Sequence, residues 1–239
     1  MRSHLADRSL WLQRIVERQL RKWEISAKQE REDPSERPFL HDFIAISREF
    51  GSGGAKLGAR LSERLGWKVY DRELLELMSG DETARRHVYS TLDERQSSWI
   101  DGLLVLCAPE TLSMREDYLR ALSRTVLTIA HHEPAIFVGR GAHLVLPPDV
   151  GLRVRVTARL EDRVAKRAQE QGVSEKEARR EVEQLEAQRQ GFLKKQFGVD
   201  GSLPEHYELT VNMSRLSQEQ ACEIILTALR LKAREPVPE

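Results

Sequence analysis

Phe43-Ile-Ala-Ile-Ser47 is a short apolar run that stops at Arg48-Glu-Phe-Gly-Ser-Gly-Gly-Ala-Lys56, and a helical pattern then runs from Leu57 to Leu65 and ends at Gly66. An apolar run without polar alternation suits a strand buried on both faces of a parallel sheet. Gly51, Gly53 and Gly54 lie between strand and helix. Glycine reaches positive φ and has no Cβ, so successive N–H groups can converge on one anion. The helix that follows adds unpaired donors and the positive end of its dipole. The stretch therefore predicts a phosphate cradle over Gly51, Ser52, Gly53, Gly54, Ala55 and Lys56, with a purely structural turn as the competing reading. It is not the GxxxxGK[ST] pattern, because no Ser or Thr follows Lys56. Ser52 is the loop's only hydroxyl and the candidate contact to magnesium.

The same punctuation recurs downstream. Trp67–Tyr70 and Ala135–Val138 are short strand-like runs, and the second again meets glycine, at Gly139. Leu152–Thr157 and Tyr207–Asn212 alternate strictly; Arg153 and Arg155 share one face, which implies that this face is incompletely covered. Helical patterns separate these runs, so the expectation is an α/β fold with a five-stranded parallel sheet flanked by helices. Ser174-Glu-Lys-Glu177 and Ser217-Gln-Glu-Gln220 are capping boxes that open helices. The first of these helices carries few apolar residues and reads as a protruding element.

Residues 1–41 read as a helical extension followed by a charged linker, apart from a domain over 42–239. Leu12, Val16, Leu20 and Trp23 recur at helical spacing, and the helix is expected to end before the run Lys28–Pro38. Its apolar stripe can pack on its own domain or on a second copy, or residues 1–38 can engage a protein partner. Lys+Arg and Asp+Glu both number 38, a balance that argues against nucleic-acid binding. No apolar stretch approaches the roughly 18 residues of a membrane span, and the charged N-terminus has no secretory signature. The expectation is a cytoplasmic protein with no membrane association. Cys107 and Cys222 lie among apolar residues and read as buried thiols. His131 and His132 end a helix, where a cation suits the dipole, and read as structural.

Several segments together resemble the cytidylate kinase-like family of the P-loop superfamily. They are Glu49-Phe-Gly-Ser-Gly-Gly54, Trp67-Lys-Val-Tyr-Asp-Arg-Glu-Leu74, Val138-Gly-Arg-Gly-Ala142, Phe197-Gly-Val-Asp200 and Tyr207–Ser217, in the family's order and spacing from about residue 42 to 232. The resemblance implies a nucleoside-monophosphate kinase fold, with a monophosphate-binding insertion over 81–130 and a helical lid over 161–200. It implies ATP and magnesium as cofactors and a small phosphorylated acceptor. Against true cytidylate kinases, Gly54 falls where the loop lysine belongs, Lys56 at the magnesium-binding hydroxyl, and Arg48 at the loop's first glycine. Gly139-Arg140-Gly141 lacks the carboxylate of the corresponding motif.

Phosphoryl transfer needs positioning and charge neutralisation more than covalent help. Arg140 follows a strand's C-terminal end, where α/β sheets bind ligands. Arg163, Lys166 and Arg167 recur at helical spacing beyond the fourth strand, and Arg189, Lys194 and Lys195 lie in the lid near Glu186. Arg140, Arg163, Arg167, Arg189 and Lys194 are the catalytic candidates, with Arg48 joining the loop as a phosphate contact. Asp71, Arg72 and Arg140 are the acceptor candidates. The leading reading is an ATP-dependent kinase for CMP or a similar small acceptor. The alternatives are a non-catalytic nucleotide sensor using its N-terminal helix, and an enzyme for another phosphorylated small molecule.

Overall fold

The computed structural model describes residues 2–30, 39–107 and 117–232. Helix α1 (Arg2–Glu30) leads to β1 (Phe43–Arg48), α2 (Gly54–Leu65) and β2 (Lys68–Tyr70). Helices α3 (Arg72–Gly80), α4 (Glu82–Ser90), α5 (Glu94–Cys107) and α6 (Asp117–His132) follow. Then come β3 (Ala135–Val138), α7 (Ala142–Val145), β4 (Leu152–Thr157), α8 (Leu160–Gln171), α9 (Glu175–Phe197), β5 (Leu209–Asn212) and α10 (Gln218–Lys232). Two compact units arise from this order. One is Asp42–Tyr70 with Pro134–Glu239; the other is Met1–His41 with Asp71–Glu133.

In the first unit the strands form one five-stranded sheet in the order β2-β3-β1-β4-β5, with every pair parallel. Its strands are short and rich in Val and Ile, and each crossover is long enough for the right-handed connection that parallel pairing requires. The winding runs from β1 outward to β2 and β3, then reverses to β4 and β5. The loop after β1 therefore stands where the direction changes, the usual ligand position in such sheets. One sheet face is sealed by Leu57 and Leu61 of α2 and by Ala221, Cys222, Ile225 and Leu229 of α10, all packed on Ile44, Ile46, Ile136, Val154 and Val156. On the other face Arg153 pairs with Glu208 and Arg155 reaches Glu49 and Gly201 O, so that face is half-buried, as the alternation implied.

The second unit is helical. Val16, Leu20 and Trp23 of α1 are buried, and α1 packs on α3 and α4. Trp23 stacks on His132 at 4.9 Å, and Gln19 and Lys22 both donate to Glu133. The apolar stripe thus packs within its own unit, one of the readings its spacing allowed. The helix also runs on to Glu30, beyond the expected end before Lys28, because Lys28, Gln29 and Glu30 are good helix formers despite their charge. The rest of the charged run, residues 31–38, lies outside the described residues, as does the side chain of Cys107. Cys222 is buried and unbridged, as expected, and burial raises its thiol pKa.

His131 and His132 make structural contacts, and His132 is not a charged cap. The ring of His131 bonds Phe39 O through Nδ1 at 2.8 Å, and His132 Nε2 meets Thr91 Oγ1 at 2.7 Å. Burial, then the neighbouring His131, lower the His132 pKa to about 3, so this ring is neutral. Desolvation outweighs the attraction of the helix end for a cation. Among the described residues no helix is long and apolar enough to cross a membrane.

Candidate functional site

The loop between β1 and α2 has the shape its glycines allow. Gly51 has φ 81° and Gly53 has φ 91°, and Gly53 caps α2 from the left-handed region. A Cβ at Gly53 would also lie 2.8 Å from Gln218 Nε2 and 3.2 Å from Lys166 Nζ, so two side chains close over this residue. The Ser52 N–H turns back to Glu49 O at 3.2 Å, and the Phe50 N–H donates to Glu186 Oε2 at 2.7 Å. The amides of Gly53, Gly54 and Ala55, at the start of α2, keep no main-chain partner among the described residues and point along the helix axis. Part of the cradle is used internally; the part at the helix N-terminus is not.

Helices α8 and α9 pack on each other and form the wall over this loop. Their joint core is Val164, Ala178 and Val182, and Phe50 of the loop packs into it. The guanidiniums of Arg167 and Arg189 each lie 5.3 Å from the Phe50 ring centroid. Between loop and wall lies a cleft of about 200 Å³ lined by Arg48, Lys56, Lys166, Arg167 and Arg189 as cations and by Glu49 and Glu170 as anions. Cations outnumber carboxylates, so the cleft favours an anion. Its size suits phosphate groups better than a whole nucleoside.

The structure sorts the predicted site residues. Gly51, Gly53, Gly54, Ala55, Lys56, Arg48, Arg167 and Arg189 line the cleft. Arg189 donates to Arg48 O at 2.9 Å, and Arg167 forms a two-pronged pair with Glu181 at 2.9 and 2.5 Å. Lys56 pairs with Glu170 at 3.1 Å. Arg163, expected at the phosphates, is buried: it donates to Ala158 O and Phe50 O and lies 3.7 Å from Glu49 and 3.9 Å from Glu186. It holds the loop rather than lining the cleft.

Ser52, expected to reach magnesium, is 3 % exposed and donates its hydroxyl to Glu49 O at 2.8 Å. With its hydroxyl committed within the loop, Ser52 does not fit the magnesium role expected of it; among the described residues no group of three or more acidic, His or Cys side chains could hold a metal. Lys194 is exposed in the last turn of α9 and lies outside the lining. Arg140 lies outside it too, in the left-handed region at φ 54°, its guanidinium 4.5 Å from the Phe192 ring centroid. In the helical unit Asp71 caps α3 by accepting from the Leu74 N–H at 3.0 Å, and Arg72 pairs with Glu76 at 3.4 Å.

Glu49, Glu186 and Phe50 matter to the site more than their sequence positions suggest. Glu49 accepts from the Ala158 N–H and pairs with Arg155 and Arg163, tying the loop to β4 and α8.

A sequence model of the family described as the cytidylate kinase-like family matches residues 43–215. No curated protein matches the chain. Among solved structures, the chain is similar to an uncharacterized protein from Eubacterium ventriosum, with 19% identity, TM-score 0.63, and coverage of 80% of this chain and 99% of that one. It is less similar to a shikimate kinase from Bacteroides thetaiotaomicron, with 14% identity, TM-score 0.41, and coverage of 79% and 98%.

Proposed function

Because the chain belongs to the cytidylate kinase-like family, we propose that it transfers a phosphoryl group from ATP to CMP or a similarly small phosphorylated acceptor. The reading rests on one arrangement. The free amides at the start of α2 and five cationic side chains line a cleft of phosphate size at the reversal point of a parallel sheet. Those amides would bind the oxygens of the donor's terminal phosphates, and their dipoles need no rearrangement as charge develops. Arg167 and Arg189, held by Glu181 and Arg48 O, would neutralise that charge from the lid side. Phe50, seated in the core of α8 and α9, keeps bulk water from the phosphates. No step is assigned to magnesium, since Ser52 is turned away from the cleft.

A nucleotide sensor without turnover is the second reading. It is favoured by Gly54, where a side chain has no room: a Cβ there would lie 2.6 Å from Arg48 Cβ. The two separate in one experiment on the purified chain, with ATP binding by calorimetry beside ADP release over a panel of nucleoside monophosphates. Binding with acceptor-dependent ADP release supports the kinase. Binding without release supports the sensor, and neither would remove both.

A further inference from the structure

We propose that Lys166, from α8, supplies the phosphate-binding charge that the loop lacks at Gly54. The inference rests on the reading of the cleft as a phosphate site and assigns it a residue. Three observations carry it. A lysine cannot be accommodated at position 54, because Arg48 Cβ already stands where the first side-chain atom would go. Lys56, the nearest lysine in sequence, is mostly exposed and is paired with Glu170. Lys166 is half-buried in the cleft lining, and its ammonium lies 3.2 Å from the Cβ position of Gly53, directly over the left-handed turn.

The electrostatics point the same way. Arg167 is held by Glu181, Lys56 by Glu170, and Arg189 by Arg48 O. Among the described residues no carboxylate pairs with Lys166, although all six of its charged neighbours in the cleft have partners. A half-buried ammonium with no counter-ion is open to a charge-assisted bond from a phosphate oxygen. Gln218 donates to Gly53 O at 3.5 Å, so it fixes the peptide beneath the ammonium and leaves the adjoining N–H groups facing the same volume. Gly53 is required for its φ, and a Cβ there would press on Gln218 Nε2 first and then on the Lys166 ammonium. The usual arrangement of loop and cation is thereby split between two elements, with the amides on α2 and the ammonium on α8. The site is complete only when α8 lies against the loop.

The test uses the full-length chain and two probes, ATP with CMP for turnover and inorganic tripolyphosphate for binding. Lys166→Met is compared with Lys56→Met and with Lys176→Met, an exposed lid position outside the cleft. Loss of one well-placed donor is expected to lower turnover by about 10²–10³ in Lys166→Met. Tripolyphosphate affinity should fall with it, Lys166→Arg should recover part of both, and Lys176→Met should match the wild type. The inference is overturned if Lys166→Met binds tripolyphosphate as the wild type does, or if Lys56→Met carries the loss instead. A wild type that binds tripolyphosphate but transfers nothing ends the kinase reading, while the binding comparison still decides on Lys166. A wild type that binds neither probe removes both. Thermal unfolding of each variant shows whether a loss reflects the site or the fold.

Discussion

Gly141→Ala is the substitution whose cost the structure states most fully. Gly139, Arg140 and Gly141 take φ values of 90°, 54° and 72° in succession, so the chain leaves β3 through three left-handed residues. Alanine at 141 pays about 1–2 kcal/mol for that conformation. Its Cβ would also stand 2.5 Å from Phe197 Cζ and closer still to Cε2, and Phe197 is fully buried at the end of α9. Overpacking of this kind costs about 1–3 kcal/mol. Together the expected loss is about 2–5 kcal/mol, or roughly 5–20 °C in Tm for a chain of this size. Equilibrium denaturation of Gly141→Ala, Phe197→Ala and the double variant separates the two contributions. With the ring gone, Gly141→Ala should cost only the backbone share. An equal cost in both backgrounds, or one below about 0.5 kcal/mol in the native background, refutes the close approach of α9 to this turn.

Glu186→Ala should tighten tripolyphosphate binding by about tenfold or more, because it removes the carboxylate whose charge-assisted bond, worth about 1.5–3 kcal/mol, ties down the Phe50 amide; calorimetry showing weaker binding contradicts it. His132 and His143 both have pKa values lowered from 6.5 to about 3, chiefly by burial. The unfolded chain therefore takes up their protons first, and stability that is whole above about pH 6.5 should fall towards pH 3 by on the order of 1 kcal/mol per pH unit for each ring. Urea midpoints that are equal at pH 7.5 and 4.5 would exclude this. Trp23→Ala should cost about 3–5 kcal/mol, since the ring is buried against His132; a change in urea midpoint that corresponds to less than 1 kcal/mol contradicts the packing of α1.

The strands and the loop were legible because each has a short-range cause. Ala135–Val138 is an unbroken apolar run buried on both faces, and Leu152–Thr157 alternates because only one face meets α10. Ser174 and Glu177 form the capping box that their spacing announces. Side-chain roles were harder to read, because they depend on partners far along the chain. Arg163 and Arg167 are one turn apart on α8 and alike as letters. Arg163 faces inward to Phe50 O, whereas Arg167 faces Glu181 on α9. The hydroxyl of Ser52 is turned by a carbonyl three residues back, an option open to any serine in a tight turn. Nor does any local signal report that Arg140 adopts the left-handed region, which a residue with a side chain rarely visits.

The burial of α1 has a practical corollary for anyone shortening this chain. The charged stretch before β1 invites a cut near residue 41, yet the helix ahead of it is half of a wall whose other half arrives only with α3 and α4. Without Val16, Leu20 and Trp23, those later helices would present greasy sides to solvent, each lost contact forfeiting about 1.5–3 kcal/mol. Such a fragment would keep its sheet and glycine turn but clump through the bared helices. A failed activity measurement on it would then speak of solubility, not of chemistry.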